Sequence, residues 1–254
     1  MHYEVYGEGK PIVILNGIMM STLGWHQFIP SLSAGNKLVL LDFFDQGQSD
    51  DFDGAYDQML QVEVVKELLD HLKLEDVTLV GLSYGGAVAL KFASAYPDRV
   101  KKLMIFNAAL YSGDWQREIG ESWILSKDDP RNFYATTIPL IYATDYFNAN
   151  KQSIDARKEF LIQNVFCDKK FLARMERLTN SASNYDARAD LKNITAKTMV
   201  IGSEDDYLTP VKVQRDIARG INDADLVIMA DCGHASMYEK PAVFASLVLG
   251  FVNL

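Results

Sequence analysis

A single serine, Ser83, stands between glycines in the stretch GLSYGG, which covers residues 81–86. The apolar run VTLV precedes it, and AVALKFASA, with apolar residues at helical spacing, follows it. A strand that passes straight into a helix needs a tight turn, and the missing Cβ atoms of Gly81 and Gly85 let both segments approach. Such a turn presents the Ser83 hydroxyl at a helix N-terminus, where negative charge is stabilised. The pattern predicts a nucleophilic serine on an elbow, with a serine that only N-caps a helix as the alternative.

A serine hydroxyl needs a neighbouring base to act as a nucleophile, and the chain has four histidines. His2 lies in a predicted strand, His26 in a predicted helix, and His71 at the end of a surface helix. His234 follows the apolar run ADLVIM in the loop DCGHASMYEKP. Catalytic side chains concentrate in loops at strand ends. We therefore expect His234 to be the base, with a solvated loop histidine as the alternative.

The third member of such a triad is a carboxylate that orients the histidine. The apolar run TMVIG ends in SEDDYLTP, which offers Glu204, Asp205 and Asp206. We prefer Asp206, and Asp205 stays open. The resulting order along the chain, serine, aspartate, histidine, differs from the order in chymotrypsin and in subtilisin.

Acyl transfer also needs N–H donors for the oxyanion that forms in the transition state. One donor is expected from the backbone of Tyr84, directly after the serine. The other is expected from Ile18 in the loop LNGIMMSTLGW, where Gly17 lets the loop approach. A plain turn at Asn16 and Gly17 is the alternative interpretation.

The elements that must position these residues alternate between short apolar runs and longer amphipathic segments. Near-continuous apolar runs are typical of parallel strands that are buried on both faces. We expect strands at 11–15, 37–42, 77–81, 100–107, 198–202 and 224–229, with an antiparallel strand at 2–6. Helices are expected at 58–72, 84–96, 211–219 and 242–252. The alternation predicts an α/β fold with a doubly wound, mostly parallel sheet.

One long segment breaks this alternation. Residues 112–187 contain no convincing strand and are rich in aromatic residues at helical spacing. We expect a helical cap subdomain over 112–187, inserted after the sixth strand, and a core formed by 1–111 and 188–254. Four residues are expected to form an apolar wall of the substrate pocket: Met19, Met20, Trp123 and Tyr142.

Composition limits the partners of this chain. A net charge of -9 argues against nucleic acid and anionic membranes as partners. No apolar run approaches the roughly 20 residues of a membrane span, and no signal peptide is recognisable. Cys167 and Cys232 lie far apart without metal-ligand spacing, so we expect free thiols in a reducing compartment. The expectation is a cytoplasmic protein with a small-molecule substrate that has an apolar acyl part, with no metal and no cofactor. Nothing in the sequence indicates an oligomeric state.

Six stretches make the chain similar to the α/β-hydrolase superfamily: LNG at 15–17, DFFDQGQSD at 42–50, GLSYGG at 81–86, YPDRV at 96–100, GSEDDYLTP at 202–210 and CGHASMYEKP at 232–241. The resemblance covers most of the chain outside 112–187, and the cap resembles that of the 3-oxoadipate enol-lactonase and small-esterase group. In this family the triad acid commonly precedes Thr-Pro by three residues, which fits Asp206. The distance from the preceding glycine fits Asp205 better. Relatives often have histidine where this chain has Asn16.

The resemblance implies hydrolysis of a small or medium carboxylic ester, lactone or thioester through an acyl-enzyme on Ser83. Carbon–carbon or amide bond hydrolysis, or perhydrolysis, on the same triad is one alternative. A non-enzymatic signalling or receptor protein of the same fold is the other, because a fold does not fix a function.

Overall fold

The computed structural model describes all residues, 1–254. Seven strands form one sheet: β1 (His2–Tyr6), β2 (Lys10–Leu15), β3 (Asn36–Asp42), β4 (Val77–Leu82), β5 (Val100–Phe106), β6 (Lys197–Ser203) and β7 (Ala224–Met229). Their order in space is β1-β3-β2-β4-β5-β6-β7. β1 runs antiparallel to β3, and every other pair is parallel. The predicted fold class is confirmed, and each predicted strand is present within one residue of its predicted ends.

Eleven α-helices accompany the sheet: α1 (Ile29–Leu32), α2 (Gln58–His71), α3 (Tyr84–Ala95), α4 (Asp114–Ser126), α5 (Pro130–Thr137), α6 (Thr144–Ala149), α7 (Lys151–Asn164), α8 (Lys169–Ser181), α9 (Val211–Gly220), α10 (Ser236–Glu239) and α11 (Pro241–Asn253). Short 3-10 helices lie at Thr22–Phe28, Pro97–Arg99, Pro139–Ile141 and Leu191–Asn193. None of the helices is both long and apolar enough to cross a membrane.

Both faces of the sheet are buried, because alternate strand residues point to opposite sides. Val13 and Leu15 of β2 join a cluster of 46 buried residues, which includes α2, α3 and α9. Ile12 and Ile14 of the same strand join a second cluster of 19 residues, which includes α1 and α11. This burial explains why the strands read as continuous apolar runs in the sequence.

The segment 112–187, here called the helical insertion, contains α4 to α8 and no strand of the sheet. The chain enters and leaves it side by side, since Tyr111 and Asp186 form an isolated antiparallel bridge. The backbone N–H of Ala187 also donates to the Leu110 carbonyl at 3.0 Å. The insertion follows the fifth strand, whereas the sixth was predicted. A count of six would need a second strand before β2, and the chain has only β1 there.

Candidate active site

Ser83 occupies the turn between β4 and α3 in a strained backbone conformation. Its φ of 50° and ψ of -113° lie outside the regions that residues with a Cβ normally adopt. A Cβ at Gly81 would come within 2.5 Å of the Gly85 carbonyl oxygen, and a Cβ at Gly85 would clash with the Leu15 carbonyl. The two glycines therefore permit the turn, and the turn holds the Ser83 side chain at the carboxyl edge of the sheet.

His234 lies in the loop after β7 and contacts both other members of the predicted triad. Its Nε2 is 2.8 Å from Ser83 Oγ, and its Nδ1 is 2.8 Å from Asp206 Oδ2. Asp205, the open alternative, forms no hydrogen bond with the His234 ring; its backbone N–H donates to the Cys232 carbonyl. The structure thus brings Ser83, His234 and Asp206 into one hydrogen-bonded row from the ends of β4, β7 and β6.

The Asp206 carboxylate is buried and accepts four hydrogen bonds. Oδ1 accepts the backbone N–H groups of Leu208 and Thr209, at 2.8 and 2.9 Å. Oδ2 accepts the Thr209 hydroxyl at 2.7 Å as well as His234 Nδ1. Burial acts to raise the pKa of Asp206, but the charge and hydrogen bond of His234 and the bonds from Thr209 outweigh it and lower that pKa. The carboxylate is therefore held ionised beside the imidazole.

Two backbone N–H groups near Ser83 have no acceptor in the protein. Tyr84 is the first residue of α3, so its N–H has no partner within the helix. The N–H of Ile18, in the loop after β2, donates to no backbone or side-chain atom. Both residues line a cavity that also contains Ser83 and His234. These are the two donors that the sequence predicted for an oxyanion.

The loop that carries Ile18 is fixed from below by Asn16, which is fully buried. Its amide donates to the Leu41 carbonyl at 2.7 Å, and its oxygen accepts the Trp25 indole N–H at 2.6 Å. A weaker bond of 3.3 Å reaches Asp42 Oδ1. Asn16 therefore joins the end of β2 to the end of β3, so the alternative of a plain turn at this position does not describe it.

The loop of His234 is fixed from both sides. Asn107, after β5, donates to the His234 carbonyl at 3.0 Å. Glu239 accepts the N–H of Gly233 at 3.1 Å and, from the helical insertion, the N–H of Ala143 at 3.2 Å. Burial raises the pKa of Glu239, although the hydrogen bonds from Gly233 and Ala143 act in the other direction. The imidazole is thereby held between the sheet and the insertion.

An apolar cavity opens at Ser83 beneath the helical insertion. It is lined by 22 residues, of which 16 are hydrophobic, and Met19, Met20 and Trp123 are among them as predicted. Tyr142 was predicted there wrongly. It packs inside the insertion, 3% exposed and stacked on Tyr146 at 5.6 Å between ring centroids. Helical spacing of aromatic residues does not tell which of them face a cavity.

A second, more polar cavity meets the first at the Ser83–His234 pair. It is lined by 23 residues, of which 11 are hydrophobic, and it extends between α4 and α8. Five residues line both cavities: Ile18, Ser83, Trp123, Leu208 and His234. The indole N–H of Trp123 donates to the Thr136 carbonyl at 3.1 Å, which fixes this ring where the cavities meet.

Sequence reasoning missed several residues at the site. Arg157, on α7, lines the apolar cavity with its guanidinium 4.6 Å from the Tyr238 ring, and it forms no ion pair. In the sequence it lies in a charged helical stretch that is typical of a solvated face. Asn107 is the last residue of a predicted strand, and Thr209 lies in the loop that follows another. Their place at the carboxyl edge of the predicted sheet is the signal that could have identified them. No group of three or more His, Cys, Asp or Glu side chains is arranged to hold a metal ion.

The family model of the alpha/beta hydrolase fold matches residues 10–241, so the chain belongs to this family. The 2-hydroxy-6-oxo-6-phenylhexa-2,4-dienoate hydrolase of Comamonas testosteroni is 29% identical over 264 residues, covering 100% of this chain and 91% of that protein. The crystal structure of MGS-M2, an alpha/beta hydrolase enzyme from a Medee basin deep-sea metagenome library, is 40% identical, with a TM-score of 0.97. The match covers 94% of that chain and 100% of this one.

The enol-lactonase from Burkholderia xenovorans LB400 has the same fold, with a TM-score of 0.87 and 22% identity over 100% of this chain and 96% of that one. The resemblance to the α/β-hydrolase superfamily is thus confirmed. The fold and the relatives together identify the chain as a hydrolase.

Proposed function

We propose that this protein is a serine hydrolase that cleaves small or medium carboxylic esters, lactones or thioesters through an acyl-enzyme on Ser83. The observation that carries the proposal is the hydrogen-bonded row Ser83–His234–Asp206, with both distances at 2.8 Å. Nucleophilic catalysis by serine requires a base within hydrogen-bond reach and a third group that orients the base. This chain has both in one place.

The proposed reaction begins when Ser83 Oγ attacks the carbonyl carbon and His234 Nε2 takes the hydroxyl proton. The carbonyl oxygen becomes an oxyanion, which the N–H groups of Ile18 and Tyr84 stabilise. Asp206 holds the Nδ1–H tautomer and stabilises the imidazolium. The bond to the leaving group then breaks, and His234 returns its proton to that group. Water, activated by His234, attacks the acyl-enzyme and releases the acid and free Ser83.

The apolar cavity supports an apolar acyl part as the group that is recognised. The helical insertion contributes apolar side chains to it over Ser83, including Leu161, Val165 and Phe166. Apolar cavities with few polar groups bind ligands by removing apolar surface from water. We therefore propose that residues 112–187 act as a cap subdomain that shapes the substrate site, with 1–111 and 188–254 as the core.

Carbon–carbon bond hydrolysis is the second candidate, and two observations favour it. The Comamonas testosteroni relative, similar over the whole chain, is named for a dienoate, which is a carboxylate. Arg157 offers a cation without an ion-pair partner at the edge of the apolar cavity. A carboxylate-bearing diketone would place its anionic end near this guanidinium.

The two candidates are separated by a substrate panel. We would assay p-nitrophenyl acetate, butyrate and octanoate beside a carboxylate-bearing vinylogous diketone, with wild type and Ser83→Ala. The proposal predicts ester turnover that the substitution abolishes, while the unfolding midpoint stays near that of wild type. Turnover of the diketone far above every ester supports the second candidate. Ester turnover that survives Ser83→Ala contradicts the proposed nucleophile.

A further inference from the structure

Gln46 is a buried polar residue outside the triad and outside both cavities. It lies in the loop after β3 and is only 3% exposed. Its side-chain Nε2 donates to the Gly17 carbonyl at 2.9 Å and to the Ile18 carbonyl at 3.2 Å. A buried amide that binds the loop after β2 therefore reaches the segment that carries one of the two free N–H groups.

The contact with Gly17 matters because of peptide geometry. The Gly17 carbonyl and the Ile18 N–H belong to one planar peptide unit, and the chain contains no cis peptide bond. In a trans peptide the C=O and the N–H point in opposite directions. The Gly17 oxygen accepts Gln46 Nε2 and also, at 3.1 Å, the backbone N–H of Met20. Holding this oxygen fixes the Ile18 N–H on the opposite side of the peptide, and Ile18 lines the cavity that contains Ser83. If this peptide turned over, it would present a carbonyl oxygen to the oxyanion.

The hydrogen bonding of Gln46 is one-sided. Its Oε1 is buried and has no partner. Buried side-chain amides in folded proteins normally satisfy both ends, and an unpaired buried oxygen is unfavourable. An apolar side chain of similar size would fill the same space without that cost. The use of glutamine here is explained by its donor end, which is the end that contacts the 17–18 peptide.

The backbone around Gln46 is arranged to present this side chain. Its two neighbours, Asp45 and Gly47, have positive φ angles of 64° and 46°. Gly47 lies against the Asp42 carboxylate, where no Cβ fits. The Asp45 carboxylate, 3% exposed, is bound by the guanidinium of Arg177 on α8, with Nε at 3.0 Å from Oδ1. The turn is thus fixed on both sides of Gln46.

We propose that Gln46 is a positioning residue of the oxyanion hole, which fixes the Gly17–Ile18 peptide so that the Ile18 N–H faces the reacting carbonyl. The inference rests on the proposed function, because it assigns a second support to the same site. Gln46 touches no substrate and acts only through Ile18. Its loss should therefore reduce kcat while KM stays nearly constant, since an oxyanion donor acts mainly in the transition state.

The experiment uses Gln46→Met, which keeps the size and removes the donor, and Gln46→Asn, which keeps the amide but shortens its reach. The matched control is Asn36→Leu. Asn36 is a buried amide, 3% exposed like Gln46, whose Nδ2 donates to the carbonyls of Leu32 and Ala34. It lies at the start of β3, at the end of the sheet opposite Ser83. Three quantities are measured for each protein: kcat and KM for p-nitrophenyl butyrate, the rate of Ser83 phosphonylation by a fluorophosphonate, and the unfolding midpoint.

Both Gln46 variants are expected to lose roughly 10- to 100-fold in kcat and in phosphonylation rate, within the range seen when oxyanion donors are lost or misplaced. Asn36→Leu should keep the wild-type rates even where its midpoint falls. Folded Gln46 variants with wild-type rates overturn the proposal, and so does an equal loss of rate in Asn36→Leu. The phosphonylation rate tests the oxyanion hole whichever bond the protein naturally cleaves. A wild type that is not labelled on Ser83 contradicts the proposed function itself.

Discussion

The sheet core holds the side chains of the site with several hydrogen bonds each, whereas the helical insertion meets the same site mostly through apolar contact. Asp206 in the core accepts four hydrogen bonds. Asn16 makes three. From the insertion, Trp123 is fixed by one hydrogen bond, and Phe166 contributes only its ring. This difference is the basis of our proposal that the core sets the chemistry and the insertion sets the substrate.

Many polar contacts connect the two regions, and three of them involve loops next to the site. Arg177 of α8 binds Asp45 in the loop after β3. The backbone N–H of Ala235, next to His234, donates to the Ile141 carbonyl of the insertion at 2.7 Å. Glu239 binds N–H groups from both regions. Substitutions in the core, in the insertion and at these connections should therefore have different effects.

The largest effect is expected in the core, at the triad carboxylate. Asp206→Asn should lower kcat by about 10⁴-fold, because an amide at this place favours the wrong histidine tautomer. Asp205→Asn is the matched control, one residue away and without a hydrogen bond to the His234 ring. Steady-state kinetics with p-nitrophenyl butyrate measures both. A larger loss in Asp205→Asn than in Asp206→Asn would refute the assignment.

A smaller effect, on specificity rather than on chemistry, is expected in the insertion. Trp123→Ala should widen the connection between the two cavities and raise the ratio of kcat/KM for octanoate to that for acetate by about tenfold, the scale of one or two methylene groups. Trp115→Ala on the same helix is the control, since Trp115 is 59% exposed and lines neither cavity. If Trp123→Ala slows all chain lengths equally, the insertion does not set the substrate.

The smallest effect is a pH dependence of stability at the connection through Glu239. Burial raises the pKa of Glu239 in the folded protein above its usual value. The folded state then binds this proton more tightly than the unfolded state. The resulting stabilisation is present below the usual carboxyl pKa and is lost as pH rises through the raised pKa.

Glu239→Gln removes this titration. Its free energy of unfolding minus that of wild type should therefore increase as pH rises through that window, because only wild type loses stability there; urea unfolding at several pH values measures this difference. Glu8→Gln, at an exposed site, serves as the control. A difference between Glu239→Gln and wild type that stays constant with pH would show that this carboxyl does not titrate abnormally.

The sequence could predict those parts of the site whose signals are local. Gly81 and Gly85 lie within two residues of Ser83, and apolar runs mark the strands that end at Asp206 and His234. Gln46 carried no such signal, because its partner Gly17 lies 29 residues away across the sheet edge. The insertion was harder to interpret, because its helices bury aromatic side chains against each other as well as around the cavity. Tyr142 was misplaced for that reason.

The central claim, that Ser83 forms an acyl-enzyme, is tested most directly by rapid-quench mass spectrometry with peptide mapping. Wild type and Ser83→Ala would be mixed with p-nitrophenyl butyrate and quenched in acid. The account predicts a transient butyryl adduct on the peptide that contains Ser83, absent in Ser83→Ala and formed in step with the release of p-nitrophenol. Release of p-nitrophenol without an adduct on Ser83, or with the adduct on another residue, would contradict it.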